Sequence, residues 1–237
     1  VLLNGDDKFL KTAQCGMHPV TYFGVGDNCA VRGLEPEIST GCVSFRVKAG
    51  DREFPIELPV EGEHFVCDAL AAVAVGLELG VEPVKIQESL GNFQNMAGLQ
   101  EIYERDGYTI ISDCYNAGPE SMAAALKVLG RQKGRKIAVL GDMLELGVCT
   151  QAEHYKVGRL AAEQADRLLA FGPNGGRMEK GALTGGMTEG TARSFTDRHQ
   201  LVLELKRLAR PGDVILFKGS RGMHMELALE MFFADEK

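Results

Sequence analysis

Val214-Ile-Leu-Phe-Lys-Gly-Ser-Arg-Gly-Met-His-Met-Glu226 is the stretch whose reading decides the fold. An unbroken apolar run is what a strand buried on both faces needs, as in a parallel sheet. The run ends in a polar loop, Lys218-Gly-Ser-Arg221, and a helical segment over 222–233 follows. Tyr108-Thr-Ile-Ile-Ser-Asp-Cys-Tyr-Asn-Ala-Gly-Pro-Glu-Ser-Met122 repeats this order of strand, polar loop and helix. In an open α/β sheet that junction is where ligands sit.

Between these two stretches the alternation is regular. Apolar runs predict strands at 108–111, 136–140, 167–171 and 213–217, with a weaker one at 192–195. Helical segments fall at 120–129, 152–165, 177–183 and 198–209. Strand–helix alternation at these lengths implies a parallel sheet wrapped by helices. Right-handed crossovers would bring the loops at 113–119, 141–146, 172–176 and 218–222 to one edge. Residues 1–60 read instead as β-rich, with short runs at 1–3 and 20–23. Runs at 43–48 and 53–58 flank the turn Ala49-Gly-Asp-Arg52, a hairpin signature. A helix is expected over 63–80, with Phe65, Ala69, Ala72, Val73, Val75, Gly76 and Leu79 on its apolar face and Gly80 as its stop. Pro83 opens another helix, and 92–98 reads as a linker. The expected fold class is α/β, divided into domains at 1–95 and 96–237.

Composition narrows the function classes. The chain has 237 residues, 45% hydrophobic and 25% charged, which is ordinary for a globular protein. A net charge of −7 and a pI near 5.3 argue against a nucleic-acid partner. Any phosphate site must therefore be local. The six cysteines form no CxxC and no Cys/His cluster at zinc spacing, so reduced thiols in a cytoplasmic protein and no metal centre are expected. No apolar run reaches the roughly 18 residues of a membrane span. Val1-Leu-Leu-Asn4 opens as though already inside a buried strand, so the chain reads as an excerpt of a longer one.

The loops carry the chemistry. Gly118 and Pro119 suit the cap and first turn of a helix whose amides would favour an anion. Asp113 can accept hydrogen bonds from ribose hydroxyls; equally, Asp and Asn before a helix are turn formers. Arg221 can clamp a carboxylate or phosphate bidentately, Lys218 serves as a point charge, and Gly219 and Gly222 allow close backbone approach. A solvated basic turn is the plainer alternative. Asp142 and Glu145 can position an amine or cap the next helix. His154 reads as a hydrogen-bonded structural group rather than a base, and His18, His199 and His224 carry no functional signal. Gly24-Val-Gly26 opens like a dinucleotide fingerprint, but Cys29 stands in place of the third glycine and no helix is expected after it.

Taken together, five segments resemble the Mur ligase family: Asn4-Gly-Asp-Asp7; Gly62-Glu-His-Phe-Val-Cys-Asp-Ala-Leu-Ala-Ala72; Asp113–Met122; Leu140-Gly-Asp-Met-Leu-Glu-Leu-Gly147 with His154; and Lys218–Met223. Within the family they are most similar to the branch that adds D-alanyl-D-alanine to UDP-N-acetylmuramoyl-tripeptide. The resemblance implies a partial central ATPase domain carrying the β-hairpin, then a Rossmann-like C-terminal domain with a mostly parallel sheet. It implies ATP and Mg²⁺ as cofactors and an acyl-phosphate route to an amide bond. The implied ATP-binding residues are His64, Asp68, Asp113 and Asn116. Tyr115, Asp142 and Ser220 would bind substrate, and Lys218 and Arg221 would be catalytic.

Departures accompany the resemblance. No Gly-x-x-x-x-Gly-Lys-[Ser/Thr] loop occurs in the sequence. The main Mg²⁺ ligands are expected upstream of Val1, so the chain is not expected to complete the reaction alone. Phe65 and Asp68 stand where the family has asparagines that read the adenine. Gly98-Leu-Gln100 stands where relatives place an arginine. Two rival readings follow: a non-catalytic Mur-like module that binds a nucleotide or a partner, and a folylpolyglutamate-synthase-like ligase.

Overall fold

The structure, a computed structural model, describes residues 1–13, 15–95 and 98–234. The chain divides into two compact units, Val1–Gln94 and Asn95–Lys237. Of the linker expected over 92–98, Met96 and Ala97 lie outside the described residues.

The first unit is built on a sheet of five strands: β1 (Leu2–Asn4), β2 (Thr21–Gly24), β3 (Val31–Ser39), β4 (Cys42–Ala49) and β5 (Arg52–Leu58). They lie in chain order, the first three parallel and the last three antiparallel. The hairpin forms as expected, with Ala49 opposite Arg52 and Gly50 at φ +62°. Strand β3 was not expected. Gly33 and Pro36 dilute its apolar pattern, and its register shifts between Leu34 and Glu37. Gly33 has a packing reason, since a Cβ there would lie 3.0 Å from a Leu70 methyl.

Helix α1 (His64–Glu78) covers this sheet, and α2 (Pro83–Gly91) follows with proline in its first turn. The buried face of α1 is Val66, Ala69, Leu70, Val73 and Ala74, packed on Val43, Phe45, Val47 and Ile56. That corrects the sequence expectation, because Ala72, Val75 and Leu79 face outward. The helix is apolar nearly all round, so periodicity alone could not choose which stripe the sheet would take.

The second unit holds a six-stranded sheet in the order β10-β9-β8-β11-β7-β6. Its strands are β6 (Glu101–Arg105), β7 (Tyr108–Asp113), β8 (Lys136–Gly141), β9 (Arg167–Phe171), β10 (Ala192–Phe195) and β11 (Val214–Lys218). All pairings are parallel except that of the edge strand β6 with β7. Strand β6 was also missed. All five of its residues are exposed, and an edge strand of this kind leaves no apolar alternation to read.

Period-two alternation along the central strands feeds two cores. Ile111, Ala138, Leu140, Leu168 and Leu216 face α3 (Pro119–Arg131), α4 (Thr150–Gln164) and α5 (Gly175–Thr184). Ile110, Ile137, Val139, Leu169 and Phe217 face α6 (Arg198–Leu208) and α7 (Met225–Phe233). The chain therefore leaves β7 and β8 toward one face and leaves β11, which lies between them, toward the other. A crevice must open where these exits diverge, at the carboxyl end of β11.

Candidate functional site

Register sets the first element of the site. Lys218, the last residue of β11, lies opposite Asp113, the last residue of β7. Its Nζ donates to Asp113 Oδ2 at 2.7 Å and to the Asn116 carbonyl at 3.0 Å. Both side chains are more than nine-tenths buried. Asp113 Oδ1 also accepts from the backbone N–H of Gln100 at 3.3 Å. A desolvated ion pair is held only when both charges are compensated in this way. Lysine carries three donors, and two of those on Lys218 are taken by these partners.

Ser220 ties the neighbouring loops together. Its Oγ donates to the Ala117 carbonyl at 3.1 Å and accepts from the Leu144 N–H at 2.9 Å. Its own N–H donates to the Asp142 carbonyl at 3.0 Å. The strand ends beneath are glycines for a steric reason. A Cβ on Gly219 would lie 3.0 Å from the Gly141 Cα, so β8 and β11 can enter their loops side by side only without one.

A cavity of about 380 Å³ opens between the three loops. Tyr115, Asn116 and Ala117 line it from the loop after β7, Leu144 and Glu145 from the loop after β8, and Ser220, Arg221 and Gly222 from the loop after β11. Tyr115, Asn116 and Arg221 are exposed, whereas Ser220 is buried in the wall. Asn116 Oδ1 accepts from the Ala117 N–H, and its amide NH₂ has no partner among the described residues. Helix α3 begins here as expected, with Gly118 at its N-cap and Pro119 next. The Ser121 hydroxyl accepts from the Gly118 N–H at 3.0 Å.

Asp142 does not line the cavity. It is fully buried and accepts from the backbone N–H and side-chain amide of Asn174, the latter at 2.8 Å. Sequence reasoning missed Asn174, and its one signal was the Gly-Pro-Asn-Gly-Gly loop that follows β9. His154 is structural, as expected. Its Nε2 accepts from the Met143 N–H at 3.0 Å, so Nδ1 carries the proton and donates to the Thr150 carbonyl at 2.6 Å. Asp142 Oδ1 lies 3.7 Å from Nε2. Because Nε2 is already an acceptor, this approach is not a salt bridge. Cys114 is buried and donates to the Phe217 carbonyl, and burial pushes its thiol up to about 12, which disfavours the thiolate form.

In the first unit, His64 and Asp68 stand on α1, with Asp68 the more exposed. Phe65 packs against His64 at 4.3 Å between ring centroids and meets Phe93 edge-on at 6.3 Å. Among the described residues no group of three or more His, Cys, Asp or Glu side chains is gathered to hold a metal ion.

Comparison with known proteins converges on one group. The family model described as Mur ligase, glutamate ligase domain matches residues 99–221. The chain is 35% identical over 226 residues to the UDP-N-acetylmuramoyl-tripeptide–D-alanyl-D-alanine ligase of Bacillus subtilis, covering 94% of this chain and 48% of that one. The Escherichia coli enzyme of the same name is 35% identical over 173 residues, covering 71% of this chain and 37% of that one. The crystal structure of MurF from Acinetobacter baumannii superposes with a TM-score of 0.84 at 31% identity, covering 98% of this chain and 51% of its own. MurF from Thermotoga maritima, solved in complex with ADP, shares the fold with a TM-score of 0.80 at 24% identity, covering 98% and 52%. The chain thus spans about half the length of its relatives or less.

Proposed function

This chain belongs to the Mur ligase family, and from that premise we propose that it provides the C-terminal portion of an ATP-dependent amide ligase. The reaction proposed joins D-alanyl-D-alanine to UDP-N-acetylmuramoyl-tripeptide, as the names of its relatives describe. The unit Val1–Gln94 is then the remaining part of a central ATPase domain, and Asn95–Lys237 is the Rossmann-like C-terminal domain. The observation that carries the reading is the buried Lys218–Asp113 pair beside a cavity whose wall holds Arg221 and Ser220.

ATP, when bound, supplies the phosphoryl group that turns the terminal carboxylate of the tripeptide into an acyl phosphate. The residues of this chain position the reactants and neutralise charge. Lys218 brings a fixed cation to a place where it can meet charge developing on the substrate. Asp113 and the Asn116 carbonyl hold that ammonium in place. Arg221 and Tyr115 engage the substrate from the exposed rim, and Ser220 fixes the loops on which they stand. Asp142 serves the same end from behind the wall.

Fit to the nucleotide is partial. The Asn116 amide suits phosphate oxygens, but Lys218 and Asp113 are both buried and paired, and Asp113 already accepts two hydrogen bonds, which restricts its access to a ribose. On the first unit, taken by itself, His64 and Asp68 are the residues proposed to contact ATP, and Phe65 beside them is occupied by packing. The main Mg²⁺ ligands are proposed to lie outside this chain, and among the described residues no cluster of three or more His, Cys, Asp or Glu side chains is gathered to hold the ion. The six free cysteines suit a reducing compartment, so a cytoplasmic location belongs to the proposal. No described helix is long and apolar enough to cross a membrane.

The test is phosphate release by the full-length protein given ATP, Mg²⁺ and the UDP-tripeptide. Release is expected only when D-alanyl-D-alanine is also present. Lys218→Ala should lower turnover roughly 10²–10³-fold, the usual effect of removing a preorganised charge-stabilising group. Full turnover in that variant would remove the assignment of Lys218, and release driven by glutamate and a folate would replace the substrate class.

A further inference from the structure

Two full charges line the same cavity and are spent on nothing. Glu145 and Arg221 are both exposed. Neither side chain makes an ion pair or hydrogen bond with another described residue. Two other polar atoms of the wall are committed, Ser220 Oγ to Ala117 and Leu144 and Asn116 Oδ1 to the Ala117 N–H, and the groups that remain, the Asn116 amide NH₂ and the Tyr115 hydroxyl, are uncharged. An anion and a cation sharing one small cavity would ordinarily pair with each other. Here they stand more than 4.0 Å apart, with neither within salt-bridge reach of the other.

Their spacing is built in. Glu145 follows Leu144 and Arg221 follows Ser220, and those two residues are bonded directly, Leu144 N–H to Ser220 Oγ at 2.9 Å. Each loop is also anchored from behind. Met143 N–H donates to the buried His154 ring, and Ser220 N–H donates to the Asp142 carbonyl. The backbone at Glu145 points the same way. Its φ is +64°, in the left-handed region that a side chain with a Cβ seldom adopts. Glycine would relieve that strain, and the chain uses glycine at φ +54° only two residues later. A carboxylate kept at a strained position on a cavity wall is the pattern of a residue retained for what it binds.

We propose that Glu145 and Arg221 form a receptor for a zwitterion: the Arg221 guanidinium takes the carboxylate of the incoming amine substrate and Glu145 takes its ammonium. A free dipeptide carries these charges at its two ends, and a cavity of about 380 Å³ lies within the usual range for small-molecule sites, roughly 300–1,000 Å³. The pair sets the polarity of the dipeptide and selects for a free carboxyl terminus. This inference rests on the ligase reading and assigns the specificity of its second substrate.

Steady-state kinetics of the full-length protein with D-alanyl-D-alanine and with its C-terminal amide test it. The wild type should prefer the free acid by about 10- to 100-fold in kcat/KM, the effect of one lost charge-assisted contact. In Arg221→Gln that preference should fall to near unity. In Glu145→Gln the KM for the dipeptide should rise about tenfold, with the KM for ATP and for the UDP-tripeptide unchanged. Glu145→Gly should raise the dipeptide KM equally while raising the Tm, a combination that a merely structural role would not produce. An undiminished acid-over-amide preference in Arg221→Gln, or an unchanged dipeptide KM in Glu145→Gln, overturns the proposal. If the wild type releases no phosphate with the dipeptide, the ligase reading fails instead. Calorimetric binding of the dipeptide and its amide to the same proteins then decides the receptor by itself, and equal affinities in wild type would refute it.

Discussion

Replacing Lys218 by methionine keeps the length and apolar stem of the side chain and removes only the charge. The Asp113 carboxylate would then be left more than nine-tenths buried with a single remaining donor, the Gln100 N–H at 3.3 Å. The Asn116 carbonyl would lose its lysine donor as well. Breaking a buried pair from one side costs about 3–5 kcal/mol. For a unit of this size, at roughly 3 °C per kcal/mol, that is a fall of about 10–15 °C in Tm. The double variant Lys218→Met, Asp113→Asn leaves no uncompensated charge and should recover most of the loss. Urea unfolding of the wild type, both single variants and the double variant, followed by circular dichroism, yields the coupling energy. We expect at least 2 kcal/mol, on the order of a well-coupled buried pair. A Lys218→Met loss under about 1 kcal/mol would equal that of a solvated surface bridge. It would refute the picture of a desolvated charge fixed by cross-strand register.

Two further outcomes test the scaffold. Arg207 and then Arg193 hold the buried Glu204 carboxyl down to about 2, against a usual value of 4.5. A folded-state value below the unfolded one means stability that is present above about pH 4.5 and lost as pH falls toward 2. Because both arginines are largely exposed, Glu204→Gln should cost only about 1–2 kcal/mol at pH 7, and its deficit should close near pH 2 in a pH series of thermal melts. Helices α4 and α5 meet through glycine: a Cβ on Gly158 would overlap the Met178 carbonyl and one on Gly181 the Tyr155 carbonyl. Either alanine variant should therefore lower stability by about 1–3 kcal/mol or more, measured as a urea midpoint, whereas Gly186→Ala, with open space around it, creates no such overlap and tests only the strain of a side chain at φ +112°.

Legibility from the sequence followed burial. The central strands of the parallel sheet announce themselves because each is apolar on both faces, and β9 begins and ends where its apolar run does; the edge strand β10, Ala-Arg-Ser-Phe, is only partly buried and gives the weaker signal. Strand β3, interrupted by Gly33 and Pro36, and β6, exposed throughout, carry no such signal, since pairing rather than burial defines them. The loops of the candidate site were visible for a related reason. Polar residues gathered immediately after a buried strand can only sit at a sheet edge.

The sequence by itself determined the α/β class, the strand-to-loop junctions at Asp113 and Lys218, and the chemical character of the residues they carry. Those properties are local, being set by runs and spacings along one segment. Strand order was left to the tertiary structure. Only the insertion of β11 between β7 and β8 sets Lys218 against Asp113, and only the exit of α7 to the opposite face opens the crevice. Which groups are spent and which remain for a ligand was decided there too. Ser220 and Asp142 are consumed as fasteners, while Glu145 and Arg221 keep their charges. Hydrogen bonds between loops far apart in the chain make that division, and no local pattern encodes it.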